Sequence, residues 1–407
     1  MIFVLGRQRE LGLAELESIT GNKEITLAGE CAIVDVDQPI KHERLGGTIK
    51  IGAVLGETTF GNISALSSFA IGKILSSIKE GTEKARLGIS TYGIHSNQGR
   101  IISISFTVKR RLEDRGTKVK VSIPTRESAL NTAQVLYNKL TEEGGNEFLI
   151  VADKGKAWIG KTVSVQDINW YSKRDYGKPK RDPKTGMLPP KLAQIMLNLA
   201  KVSDGSVVLD PFSGTGTIPM EASLMGARSI ACDINYGMVG YTKENMEWLE
   251  KQRKIPHWKA YKCDAISASW DEVGHIVTEI YLGPRLHGRV KEEEVKRMKD
   301  ECDTLLRKFL ENVSRQIKPG KRCCIAVPIW FVNGKRIRLP TAAKLERMGF
   351  KRILFKSNGG QPLIYHREAQ TVGRELLVLE KGEKQASSAH SALKPLRHPP
   401  TQNSARR

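Results

Sequence analysis

The run Ser206-Val-Val-Leu-Asp-Pro-Phe-Ser-Gly-Thr-Gly-Thr-Ile-Pro-Met-Glu-Ala222 constrains the fold more than any other stretch of this 407-residue chain. Val207, Val208 and Leu209 read as a short buried strand ending at Asp210. A glycine-rich turn follows, and a helix is predicted to start near Thr217. Gly214 and Gly216 let the backbone approach a ligand without a Cβ in the way. In open α/β sheets, ligands sit at the carboxyl ends of strands, near the point where strand order reverses. The segment therefore predicts both a largely parallel sheet and the edge of it that binds something.

The rest of the second half keeps the same rhythm. Strands are predicted at 206–209, 229–232, 258–263, 275–278 and 322–329, with helices between them, notably over 292–316. Two more, at 351–355 and 375–379, are joined by a loop, which suggests an antiparallel hairpin at the sheet edge. Pro189-Pro190 opens a helix over 191–200. The expected architecture is α/β: a Rossmann-like seven-stranded sheet over 187–381, preceded by a smaller α/β half. That smaller half divides into a segment over 1–59 and a module over 60–165 that alternates helix and strand, the turn-rich stretch 56–62 separating them. Residues 166–186, rich in Gly, Pro and charge, form a connector, and 382–407 reads as a disordered basic tail.

Acidic residues close three successive strands. Asp233 stands 19 residues after Gly214, at the end of the second strand, where a carboxylate can accept from two ribose hydroxyls. Asp264 follows the third strand, placed to accept from an adenine amino group, with Ala265 beside it. The candidate nucleoside-binding set is Asp210, Pro211, Phe212, Gly214, Gly216, Thr217, Asp233, Ile234, Asp264 and Ala265. A nicotinamide-binding Rossmann domain would use a similar turn, but its fingerprint needs a third glycine where this chain has Pro219, and it does not account for Asp-Pro-Phe.

Lys and Arg number 65 against 44 Asp and Glu, a formal charge of +21. Such an excess favours a polyanionic partner, since neutralising phosphates releases condensed counterions. Lys109-Arg-Arg111, Arg115, Lys118 and Lys120 form one cluster. Another runs from Lys173 to Lys184, interleaved with Trp170, Tyr171 and Tyr176, whose rings can stack on bases. A solvated charged face is the plainer account of either cluster. The six cysteines form no C-x-x-C pair and sit in strand-like runs, so no metal site is expected and reduced, structural thiols are. No run approaches the roughly 20 apolar residues of a membrane span, and the start is charged too soon for a signal peptide, so a cytoplasmic protein without membrane partners is expected.

The Asp-Pro-Phe-Ser-Gly-Thr-Gly-Thr segment resembles the first motif of class I S-adenosyl-L-methionine (SAM) dependent RNA methyltransferases. Met187-Leu-Pro-Pro-Lys-Leu-Ala-Gln-Ile-Met-Leu-Asn-Leu-Ala200 and the opening Leu5-Gly-Arg-Gln-Arg-Glu-Leu-Gly-Leu-Ala-Glu-Leu16 resemble, within that class, the THUMP-associated tRNA guanine-N2 methyltransferases. The resemblance implies SAM as cofactor, tRNA as partner, and a THUMP-like RNA-binding module over 60–165. Amino-group methyltransferases carry Asp/Asn-Pro-Pro-Tyr/Phe after the fourth strand, and here that place reads Thr278-Glu-Ile-Tyr-Leu-Gly-Pro284. Glu279 then takes the place of the side-chain acceptor for an exocyclic amine, and Tyr281 that of the ring stacked on the extruded base. Both prolines are missing from their usual places. Methylation of DNA or of another RNA, and a tRNA-binding protein with altered catalysis, remain alternatives. His287 is a further candidate beside this loop.

Overall fold

Ile2, Phe3, Val4 and Leu5 are all buried, as a strand paired on both sides and covered on both faces requires. The computed structural model describes residues 1–21, 24–94, 98–125, 128–182, 187–284, 292–368 and 370–382. Among them, eight strands form a first sheet. These are β1 (Ile2–Leu5), β2 (Thr26–Ala28), β3 (Cys31–Ile33), β4 (Thr48–Thr59), β5 (Lys84–Tyr92), β6 (Lys118–Ser122), β7 (Gly145–Asp153) and β8 (Lys156–Val165). Their order is β2-β3-β1-β4-β8-β7-β5-β6, with β5 parallel to both β6 and β7.

One sheet takes strands from both sides of residue 59. The stretch 56–62 is turn-rich in composition, yet β4 runs through Thr59 and pairs with β1 on one side and β8 on the other. Register shifts at Ile51/Gly52 and Val54/Gly56 accommodate its glycines inside the ladder. Helices α1 (Arg9–Thr20), α2 (Ile63–Ser77), α3 (Gln98–Glu113) and α4 (Thr132–Tyr137) accompany the sheet. The last is short: Asn131 and Gln134 close a capping box at its start, and Lys139 turns left-handed just past its end.

The second sheet contains β9 (Val207–Asp210), β10 (Arg228–Asp233), β11 (Trp258–Lys262), β12 (His275–Glu279), β13 (Arg322–Val332), β14 (Lys335–Ile337), β15 (Phe350–Arg352), β16 (Leu363–Tyr365) and β17 (Val372–Lys381). Its main path is β11-β10-β9-β12-β13-β17-β15, seven strands as expected, with the short β14 and β16 attached to β13 and β17. The first five are parallel. The expected antiparallel pair stands at the sheet edge, with β17 between β13 and β15 and β15 outermost. Helices α5 (Ile168–Asp175), α6 (Pro190–Leu199), α7 (Thr217–Leu224), α8 (Tyr236–Gln252) and α9 (Glu292–Ser314) complete the second half.

The two halves meet through α1 and α6. Leu11 and Ala14 enter the same apolar core as Leu192, Met196 and Leu199. Glu15, fully buried, accepts from the backbone N–H of Gly46 and Gly47 (2.9 and 2.8 Å) and from Asn198 Nδ2 (2.7 Å). Burial pushes its carboxyl up to about 7, against the pull of these hydrogen bonds.

Cys232 and Cys263 are bonded as a disulfide, with Cα atoms 5.6 Å apart, which corrects the expectation of six reduced thiols. Parallel pairing sets Asp233 opposite Lys262, so the residues flanking those two ends come together despite 31 positions of separation. Cys31, Cys302, Cys323 and Cys324 are free and buried. His287, Lys184 and the tail beyond Gly382 lie outside the described residues.

Candidate active site

β9 carries Asp210 to the carboxyl edge of the sheet between β10 and β12, where it is 2% exposed. Its Oδ1 accepts from the Thr278 hydroxyl (2.6 Å) and the Phe212 N–H (3.3 Å). Burial raises this carboxyl to about 7, with the two hydrogen bonds opposing the shift. Pro211 is buried beside it, and the Phe212 ring packs edge-on against Phe309 at 5.2 Å. The loop is then stitched to the next strand, since Ser213 N–H donates to the Cys232 carbonyl (2.9 Å).

The two glycines serve different ends. Gly214 has φ +52° and nothing within 4 Å of where a Cβ would stand, so this part of the loop faces open space. Gly216, at φ +79°, would bring a Cβ to 3.1 Å from Thr242, and its bareness lets α8 pack against the loop. Asp233, ending β10, accepts from the Gly214 N–H through Oδ2 (3.0 Å) and from the Asn235 N–H through Oδ1 (2.8 Å). Each oxygen keeps a second lone pair for a ligand hydroxyl.

A cavity of about 80 Å³ is lined by Leu188, Asp210, Phe212, Gly214, Thr217 and Glu279, among others. The structure thus brings together the motif and the end of β12, with Asp233 attached through Gly214. Asp264 and Ala265 lie outside that lining: the first accepts from the Ile266 N–H (3.1 Å), and the second gives its carbonyl to Asn312 Nδ2 (3.0 Å). Ile234 is exposed. Tyr281 is also exposed and outside the lining, with its carbonyl accepting from the Cys302 thiol (3.4 Å). Glu279 is bound in an ion pair by Arg374 of β17, whose Nε donates to Oε2 and whose Nη2 lies 3.5 Å from Oε1.

Sequence reasoning missed the residues that fix this loop. Thr242 Oγ1 donates to the Gly214 carbonyl (3.0 Å), and Asn245 Nδ2 donates to the carbonyls of Thr215 (2.7 Å) and Lys180 (2.9 Å). The i, i+3 spacing of two hydrogen-bonding side chains on the helix after Asp233 was the available signal. Lys178 was grouped with a surface cluster, but it is buried and donates to the hydroxyls of Thr217 (2.8 Å) and Thr215 (3.4 Å). Burial lowers its pKa to about 8. The 173–184 cluster is therefore not a uniform phosphate-binding face. Arg174 is buried against Glu221 (2.6 Å) and Tyr171 is buried, whereas Tyr176 is exposed. In the other cluster, Arg110, Arg111, Arg115, Lys118 and Lys120 are all exposed.

The geometry fits an adenosyl ligand on two observations: the open space over Gly214, and a carboxylate beside it that still has acceptor capacity. Comparison with known proteins agrees in kind. A family model described as an RMKL-like methyltransferase domain matches residues 179–329, and one described as a DNA methylase matches 103–244. A tRNA (guanine(10)-N2)-dimethyltransferase of Methanothermobacter thermautotrophicus is 35% identical over 144 residues, covering 35% of this chain and 39% of the relative. One from Methanocaldococcus jannaschii is 40% identical over 95 residues, covering 22% and 25%. The chain thus spans well under half the length of the relatives it matches. The solved structure of TrmN from Thermus thermophilus aligns over 94% of this chain and all of that one, with 18% identity and a TM-score of 0.49.

Proposed function

We propose that this protein is a SAM-dependent methyltransferase that modifies the exocyclic N2 amine of a guanosine in tRNA. The observation that carries the reading is the meeting of Asp210, the Gly214 loop, Asp233 and Glu279 at the carboxyl edge of β9, β10 and β12. Asp233 takes the ribose hydroxyls, Asp264 the adenine amino group, and the bare backbone at Gly214 allows close approach. When bound, SAM supplies an electrophilic methyl group. The chain's own residues do the rest.

An exocyclic amine is a weak nucleophile because its lone pair is delocalised into the ring. Glu279 accepts the amine hydrogen at Oε1 and holds the nitrogen in line, which lowers the entropic part of the barrier. The guanidinium of Arg374 keeps the Glu279 carboxylate oriented, and exposed Tyr281 offers a ring on which an extruded base stacks. The module over 60–165, with Arg110, Arg111, Arg115, Lys118 and Lys120 exposed, serves as a THUMP-like module engaging the tRNA backbone. Among the described residues no helix is long and apolar enough to cross a membrane, and we place the enzyme's work in the cytoplasm.

The test is transfer of labelled methyl from SAM to unmodified total tRNA, followed by nucleoside analysis. Label in N2-methylguanosine supports the reading. No label in any nucleoside, despite tight SAM binding, would sink it in favour of a binding protein, a reading that the missing prolines around Glu279 keep in play. The match to a DNA methylase model favours DNA as the second substrate class to try in the same assay.

A further inference from the structure

A second cleft, of about 660 Å³, lies where the end of β8, α5 and the residues after α8 converge, and it shares no lining residue with the cavity at Gly214. Its size is that of a small-molecule site. At its wall, Gln166 is 2% exposed, and its Oε1 has no hydrogen-bond partner. A buried amide oxygen left without a donor is unusual in a folded protein and is satisfied by whatever N–H or O–H enters the space. Trp170 borders the same cleft and is only half-buried, its ring stacked on Trp248 (6.3 Å between centroids) and faced by Arg174 at 5.2 Å. The guanidinium of Arg253 sits 5.5 Å from its ring centroid. A guanidinium held against an indole keeps its in-plane N–H groups turned outward, towards an anion.

The charges around the cleft are mixed but not balanced. Lys41, Arg253 and Lys254 are cationic and exposed at the rim, against the carboxylates of Glu43 and Asp167. Asp167 spends Oδ1 on capping α5 at the Trp170 N–H (2.9 Å), and Arg174 is neutralised by Glu221. His42 is held between Ser164 Oγ and the Thr48 carbonyl, both at 3.0 Å, and burial lowers its pKa, so it adds no charge near neutrality. An anion beside a half-exposed indole and an unpaired buried acceptor is the recognition chemistry of a nucleotide.

We propose that this cleft is a second ligand site that binds one nucleotide unit. The base meets the exposed edge of the Trp170 indole and donates an N–H to Gln166 Oε1, while the phosphate meets Arg253 and Lys254. The unit comes either from a free nucleotide or from within a nucleic-acid strand. This site does not depend on the reading given to the Gly214 edge.

The experiment titrates the full chain with guanosine monophosphate and, separately, with a short single-stranded oligoribonucleotide, following tryptophan fluorescence. Saturable quenching is expected, with affinity reduced about tenfold in Arg253→Gln and in Gln166→Leu, since each loses one charge-assisted or buried hydrogen bond. Trp170→Leu should abolish the quenching. Binding of both probes points to free nucleotide, and binding of the oligonucleotide alone points to a strand; either supports the site. Affinities unchanged in Arg253→Gln and Gln166→Leu, or no quenching by either probe, would overturn it. SAM binding, measured in the same variants, is expected to match the parent. That separates failure here from failure of the methyltransferase reading, which would appear in the parent chain itself.

Discussion

The loop after β9 and the segment after β12 stand at the same edge of one sheet, yet they are held in opposite ways. The first is tied down locally: Ser213, Gly214 and Thr215 are bonded by neighbours on β10 and α8, and Lys178 joins from the preceding segment. The second rests on a long-range clamp, with Glu279 gripped by Arg374 from 95 positions away. A cofactor common to many enzymes suits a prebuilt, local cradle. On the proposed reading Glu279 marks the acceptor position, which is wired to a distant strand that can vary independently.

Four outcomes would break or sharpen that contrast. Replacing Arg374 with Gln should release Glu279 and lower methyl transfer about 100-fold, the usual cost of misplacing a positioning group by about 1 Å. SAM affinity, measured by calorimetry, should stay within about twofold. Equal losses in both would show that the two regions are one unit. Asp233→Ala should weaken SAM binding by about 10- to 100-fold, as expected for losing charged hydrogen bonds to a ligand; unchanged affinity would remove the ribose role. Asn245→Ala breaks the clasp between Thr215 and Lys180 and should cost about 1–3 kcal/mol in urea unfolding, because buried partners lose their bonds. A stability equal to the parent's would show that the loop holds itself.

The fourth outcome is a pH dependence. The carboxyl of Asp210 is raised from 3.8 to about 7, so the folded chain binds its proton more tightly than the unfolded one. Its contribution to stability is full below pH 3.8 and is lost as pH rises through about 7. Asp210→Asn should flatten the unfolding midpoint across that window. Part of the slope will persist, since Glu15 is raised in the same direction. A profile identical to the parent's would mean that Asp210 is not the titrating group.

The parts of this fold legible in the sequence are those encoded over short spans. Val207–Asp210 and the glycines after it announced a strand and a turn, because periodicity and turn chemistry are local. What depended on distant pairing stayed hidden. The β4 ladder absorbed glycines that read as turns, β17 slid inside the sheet, and Cys232 met Cys263 across two strands. At this sheet edge, the proximity of Asp210, Gly214 and Asp233 could be read from spacing. Lys178 could not, since a lysine inside a charged run gives no sign of burial, and Arg374 had no motif at all.

The position of β17 also has a consequence in time. Ribosomes deliver the chain from its amino end, and parallel strands β9 to β12 emerge well before residue 374. Until β17 arrives, β13 lacks a neighbour and the Glu279 carboxylate lacks its counter-ion. The nascent domain can shape the Gly214 loop early, but the surroundings of Glu279 are completed only with the final strand. On the proposed reading, a polypeptide released short of that strand would carry the Gly214 loop without the guanidinium that orients Glu279.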